Sequence, residues 1–241
     1  MGKLTQELYE ESATPLHALG ELYINPWGDK FRYVYNGGVA LGTGHLLQEP
    51  AEDTNYRSMV CQAATAIGSK DIYVTLGGTA VTVDQFKDGD LVIESGTGLG
   101  QKFRIVSHDI QTSTTGTCKF TVDRPVKVAT VATTSQITVR KNAYHGVIDF
   151  PTTPTGAPVG VALYAMTINY YGWIQSGGNT AVLYDTQANS AADESVIIPS
   201  RDVAGSVTPN VETYAAGVII GFGRELVSVD STFGNAHLII D

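Results

Sequence analysis

The residue types able to do chemistry in this chain occur in patterns that fall short of it. Ser107-His108-Asp109 holds the three side chains of a hydrolase triad. In such enzymes the nucleophile, base and orienting acid converge from separated segments, and no Gly-x-Ser-x-Gly elbow accompanies this tripeptide, so it reads as a strand end. Gly96-Thr97-Gly98-Leu99-Gly100 is the one loop with a phosphate-binding composition. A dinucleotide loop opens a helix whose N-terminal amides hold the pyrophosphate. This one runs into residues 101–106, which alternate like a strand, and so reads as a hairpin turn. His17, His45, His108, His145 and His237 show no i,i+2 or i,i+4 pairing, which leaves no metal-ligand spacing. Asp84, Asp88 and Asp90 lack the remaining ligands of a calcium loop. The expectation is a protein that is not an enzyme and holds no metal or cofactor.

Aromatic residues give a stronger pattern. Phe31, Tyr33 and Tyr35 alternate along one run, and Tyr171 and Trp173 along another. Alternate residues of a strand share a face, and an aromatic face of this kind serves a core or a subunit interface more often than a sugar-stacking platform. The two runs are near copies: FRYVYNGGVAL (31–41) aligns with YGWIQSGGNTAVL (171–183) on the pairs Gly37-Gly38 and Gly177-Gly178. A third Gly-Gly pair lies in IYVTLGGTAVTV (72–83). Paired glycines tolerate the positive φ of tight hairpin turns, so each pair is expected to join two strands.

The elements that must position these residues are predominantly β. At 241 residues the chain is long enough for one large domain or two lobes. Charged residues make up only 16%, against a norm of about 25%, so the surface is made polar by Thr, Ser, Asn and Gln. Short alternating strands are predicted at 72–76, 79–83, 91–94, 102–107, 119–122 and 136–140, with Gly, Ser, Thr and Asp in the turns. Residues 1–30 differ: residues 3–12 carry Leu4, Leu8 and Tyr9 on one helical face, and Pro15 and Pro26 follow in an extended arm. PTTPTGAP (151–158) reads as a stiff connector. The expected fold class is all-β: a hairpin-rich β-sandwich or barrel lobe of residues 31–62 plus 145–241, an inserted barrel-like lobe of residues 63–144, and an N-terminal arm of residues 1–30.

Charge and apolar content exclude several partners. A net charge of −9, with scattered Lys and Arg, disfavours direct nucleic-acid binding. The longest apolar stretches are far shorter than the roughly 20 residues of a membrane span, and residues 1–12 have neither the apolar run of a secretory signal nor, with Gln6 at the sixth position, a myristoylation pattern. A soluble protein without a membrane partner is expected. Cys61 and Cys118 stand alone and are expected as two buried thiols.

Several segments together resemble tailed-phage virion proteins: FRYVYNGGVALGTGHLLQ (31–48), the short-strand block of 63–108, NAYHGVIDFPTTPTGAPVGVA (142–162), YYGWIQSGGNTAVL (170–183) and AGVIIGFG (216–223). Within that group the chain is similar to capsid decoration, or cement, proteins, although it is much longer than the simple ones. The resemblance implies a β-rich homotrimer on the capsid exterior, assembled in the host bacterial cytoplasm, whose partner is the major capsid protein and whose job is to clamp the head lattice. It implies no catalytic residues. A tail, baseplate or fibre component, with a glycan as its contact, is the alternative. Under either, the expected interface residues are Leu4, Leu8, Leu22 and Trp27 of the arm with Tyr33, Tyr35 and Trp173 of the aromatic runs.

Overall fold

The computed structural model describes residues 4–185, 196–210, 217–225, 227 and 229–241. The described residues form sixteen strands and a single 3-10 turn, Thr54–Tyr56. The all-β expectation holds. Two compact units divide the chain, one made of Met1–Ala51 with Ala143–Asp241, the other of Glu52–Asn142.

The larger unit begins with β1 (Leu22–Ile24), β2 (Lys30–Asn36) and β3 (Leu46–Gln48). The smaller unit holds β4 (Met59–Val60), β5 (Asp71–Thr75), β6 (Asp90–Ser95), β7 (Lys102–His108), β8 (Thr117–Val122) and β9 (Gln136–Arg140). The larger unit resumes with β10 (His145–Asp149), β11 (Pro158–Ala162), β12 (Tyr171–Tyr184), β13 (Val196–Pro199), β14 (Val207–Pro209), β15 (Gly221–Gly223) and β16 (Thr232–Ile239).

In the smaller unit the strand order is β4-β9-β6-β7-β8-β5. A bridge between Cys61 and Val74 joins its two ends, reinforced by Gln62 N–H donating to Tyr73 O at 2.9 Å, so the sheet is nearly a barrel. Period-2 patterning produces this: Phe103 and Ile105 of β7 and Cys118, Phe120 and Val122 of β8 point inward while their neighbours face out. One cluster fills the interior, with Phe86, Phe120, Ile93 and Ile137 among its buried members. Cys61 and Cys118 belong to it as free thiols. Burial pushes the Cys118 thiol up to about 11, with the Asp109 carboxylate adding to the effect. Residues 52–62, placed with the larger lobe from sequence, lie here because β4 pairs with β9.

The larger unit carries a ten-stranded sheet whose pairings run in two closed circuits, β2-β10-β3-β11-β12 and β12-β14-β13-β15-β16. They share β12. Val34, Leu47, Val147 and Ile174 fill one circuit; Val182, Ile197, Val207 and Leu238 fill the other. The two aromatic runs lie side by side as an antiparallel pair, Tyr35 opposite Tyr171, Tyr33 opposite Trp173 and Phe31 opposite Gln175.

The glycine pairs are not hairpin turns, contrary to expectation. Gly177-Gly178 lies inside the fourteen-residue β12, where pairing with β2 ends at Gly177 and pairing with β16 begins. Gly178 has φ +86°, and a Cβ there would meet Asp29 Oδ1 at 2.1 Å. The pair lets the shared strand pass from one circuit to the other. Gly37 closes β2, and a Cβ there would approach Gly146 Cα to 2.7 Å, so it permits close packing against β10. Residues 79–83 also differ from expectation, forming only an isolated bridge at Val81 with Gln111, because β5 takes β8 as its partner.

Candidate functional site

Residues 4–12 are turns and irregular chain rather than the expected helix. Competing side-chain and tertiary bonds explain this. Gln6, only 2% exposed, donates from its amide to Glu10 O (2.6 Å) and Tyr171 O (3.1 Å) and accepts from the Tyr33 hydroxyl at 2.6 Å. Its carbonyl accepts from the Trp173 indole N–H at 3.2 Å. Ser12 exchanges backbone bonds with Tyr171 at 2.8 and 2.9 Å. Glu11 holds Thr167 through both carboxylate oxygens at 2.7 Å, and the Tyr164 hydroxyl donates to Glu10 O.

The arm thereby covers the aromatic face of its own unit. Phe31, Tyr33 and Trp173 form a buried cluster against which Leu4, Leu8, Leu19, Tyr23 and Tyr171 pack. The Tyr33 and Trp173 ring centroids are 5.1 Å apart with edge-to-face geometry. The His17 ring lies 4.9 Å from Trp173, fixed by Thr5 and Glu21 at 2.9 and 3.1 Å. Burial raises the pKa of Tyr33, offset in part by the N–H that Leu16 donates to its oxygen. Tyr33 and Trp173 were expected at a subunit interface; both are fully buried because the arm seals them. Leu4 and Leu8 likewise spend their apolar surface within the chain. Tyr35 is half-buried, and its hydroxyl donates to Asn169 Oδ1 at 2.8 Å.

Leu22 and Trp27 remain outside. β1 ends the strand order, so one of its edges has no partner strand among the described residues. Tyr23 turns inward, while Leu22 and Ile24 point away at 43% and 39% exposure. Trp27 follows at 86% exposure, on a turn locked by Asn25. The Asn25 Oδ1 accepts from Trp27 N (3.0 Å) and Asp29 N (2.9 Å), and its Nδ2 donates to Asp29 Oδ2 at 2.9 Å. Gly28 turns the chain there with φ +92°. Asp29 Oδ1 in turn accepts from Asn179 N of β12 at 3.2 Å. The indole is therefore carried on a rigid mount.

The residues with catalytic types have structural partners. His108 Nε2 accepts from Phe86 N–H at 3.1 Å, and its ring packs against Phe86 and Phe120. Residues 96–100 join β6 to β7, as expected for a turn. His45 Nδ1 lies 2.8 Å from Asp149 Oδ2, a pairing not legible in the sequence. Such a pair orients an imidazole, but among the described residues no hydroxyl or thiol bonds to His45. No group of three or more His, Cys, Asp or Glu among the described residues is placed to hold a metal, and no described helix is long and apolar enough to cross a membrane. No protein-family model, curated protein or solved structure matches the chain.

Proposed function

We propose that the protein is a non-catalytic assembly protein that docks on a larger protein surface, and that its setting is the tailed-phage virion, where it decorates the head by bridging copies of the major capsid protein. The observation that supports docking is Trp27, exposed on its locked turn beside Leu22, Ile24 and the open edge of β1. Tryptophan carries a disproportionate share of binding energy at protein interfaces, and a rigid mount removes the ordering cost that a flexible loop would add. An unpaired strand edge accepts a strand from a partner. The virion setting rests on the resemblance in residues 31–48, 63–108, 142–162, 170–183 and 216–223. In this proposal the protein acts as a homotrimer on the capsid exterior.

Electron microscopy of virions labelled with an antibody to this chain tests the setting: head labelling is expected, and labelling confined to the tail overturns decoration in favour of a tail or fibre part. Trp27→Ala tests the docking face. Truncating an anchor of this kind costs about 2 kcal/mol or more, roughly a thirtyfold loss of affinity for empty heads, with unchanged melting because the ring supports nothing in the fold. Full head occupancy by the variant would remove Trp27 from the interface.

A further inference from the structure

The second circuit of the larger unit carries a cavity of about 430 Å³ lined, among the described residues, by Phe222, Gly223, Arg224 and His237. Strand pairing builds it. Phe222 of β15 and Asn179 of β12 both stand directly opposite His237 of β16, so the three side chains form a row on one face. Arg224 follows two residues after Phe222, anchored by its N–H to Asn235 O at 2.9 Å. Phe222 is 41% exposed, which leaves ring surface open toward the cavity.

The hydrogen bonds fix what each group offers. Arg224 Nη1 lies 3.3 Å and His237 Nδ1 3.0 Å from the same Asn179 oxygen. A guanidinium only donates, so that atom is the amide oxygen. An oxygen accepting from Arg224 also accepts from His237, so Nδ1 donates to it and Nε2 is the ring nitrogen left to face a ligand. Among the described residues Arg224 has no carboxylate within ion-pair distance, and its guanidinium bonds to Asn179 alone. The site thus presents an aromatic face, a cation with several donors and an imidazole nitrogen in a chain of net charge −9.

We propose that this cavity binds an acidic sugar residue. An apolar pyranose face stacks on Phe222, the ring carboxylate accepts from Arg224, and a sugar hydroxyl bonds to His237 Nε2. The volume falls in the range of small-ligand sites. Trp27, Leu22 and Ile24 do not line this site, although Asn179 behind it is bonded through its N–H to Asp29 of the Trp27 turn, so the tests read Phe222 and Arg224 rather than the turn.

The test is a two-dimensional NMR titration of the full chain with glucuronate, glucose and acetate. Glucuronate is expected to shift Phe222, Arg224 and His237 saturably, with a Kd of about 1 mM, which suits a ligand of this size. Glucose lacks the carboxylate and is expected to bind about tenfold more weakly. Arg224→Gln should abolish that preference, and Phe222→Ala should weaken both sugars. Both positions are solvent-facing, so the variants retain the fold. Glucuronate producing no saturable shift up to about 50 mM overturns the site. Equal affinity for glucose, or for acetate, overturns the acidic-sugar assignment, and so does undiminished glucuronate binding by Arg224→Gln.

Discussion

In residues 52–142 the strands close around a single apolar core, and the buried polar residues are small: Thr65, Thr130 and Ser135. In the other unit two strand circuits share β12, and Gln6, Asn25, Asn36, Gln48, Gln175 and Asp185 are buried among them. The smaller unit is held by volume and pattern, which tolerate substitution if size is kept. The larger one uses polar side chains to fix segments far apart in sequence. Asn36 Nδ2 donates to Met166 O and Thr167 O, both at 3.0 Å. Gln48 is bonded to Thr155 at 2.7 and 3.2 Å. Asn36 Oδ1 has no partner among the described residues, but the donated bonds specify one arrangement, and removing one partner strands the other. The larger unit should therefore be more particular about its sequence, and the smaller one more forgiving.

The sharpest way to break this contrast is Trp173→Ala. A buried tryptophan truncated to alanine costs about 3–5 kcal/mol, and the loss should fall on the larger unit. Amide protection in β2 and β12 is expected to collapse while that in β5 to β9 persists. Cys61 and Cys118 both lie in the smaller unit, so their resistance to a thiol reagent reports it separately. Equal loss of protection in both units would mean that they unfold as one body.

Gln6→Ala comes next, at about 1–3 kcal/mol, because it leaves the proton of the buried Tyr33 hydroxyl without its acceptor and removes one of the two donors to the Tyr171 carbonyl. Hydrogen exchange at Ser12 and Tyr171 should accelerate with it, and unchanged exchange there would show that the arm is held by Leu4 and Leu8 alone. In the smaller unit Ile137→Val should cost only about 0.5–1.5 kcal/mol, read from denaturant unfolding. A larger loss than Gln6→Ala would reverse the contrast.

The smallest effect involves Asp241, whose carboxylate receives Arg32 Nε at 2.6 Å and Nη2 at 3.0 Å. These bonds, chiefly, hold its pKa below the usual carboxylate value. A depressed folded pKa gives stability that is present above the unfolded aspartate value of about 4 and is lost as pH falls through the folded value. Asp241→Asn should cost at most about 1 kcal/mol at neutral pH and flatten the acid limb of a stability–pH profile. An acid limb identical to that of the parent protein would assign it to other carboxylates.

The smaller unit was the more legible in sequence, for the reason that separates the two. Its strands alternate cleanly, so the expected runs 102–107 and 136–140 correspond closely to β7 and β9. In β12, residues 172–177 are all buried, since the strand has circuits on both sides, and alternation there carries no information about which residue faces out. The likeness between residues 31–41 and 171–183 reflected mutual pairing rather than two separate hairpins. Leu4 and Leu8 suggested a helix because apolar spacing does not reveal that Gln6 bonds to Tyr33 and Tyr171. Phe222, Arg224 and His237 share no motif at all; the pairing of β15 with β16 brings them together. Trp27 was visible as an anchor, but its rigidity rests on Asn25 and Asp29, whose spacing reads as an ordinary turn.

The sharing of β12 has a consequence for biosynthesis. β2 leaves the ribosome early and can pair with β1, yet its other antiparallel partner, residues 171–177 of β12, is made only after the whole of the smaller unit. At ~5–20 residues per second, β2 waits roughly 7–30 s with its aromatic residues uncovered. Its parallel neighbour β10 follows the smaller unit as well. The arm is made before β2, and in the finished unit its Leu4, Leu8 and Gln6 pack on or bond to the Phe31, Tyr33 and Trp173 cluster, so it is a covering already at hand during that interval, although its bonds to Tyr164, Thr167, Tyr171 and Trp173 form only later. A segment that seals the finished unit would thus also act as its own co-translational guard against aggregation.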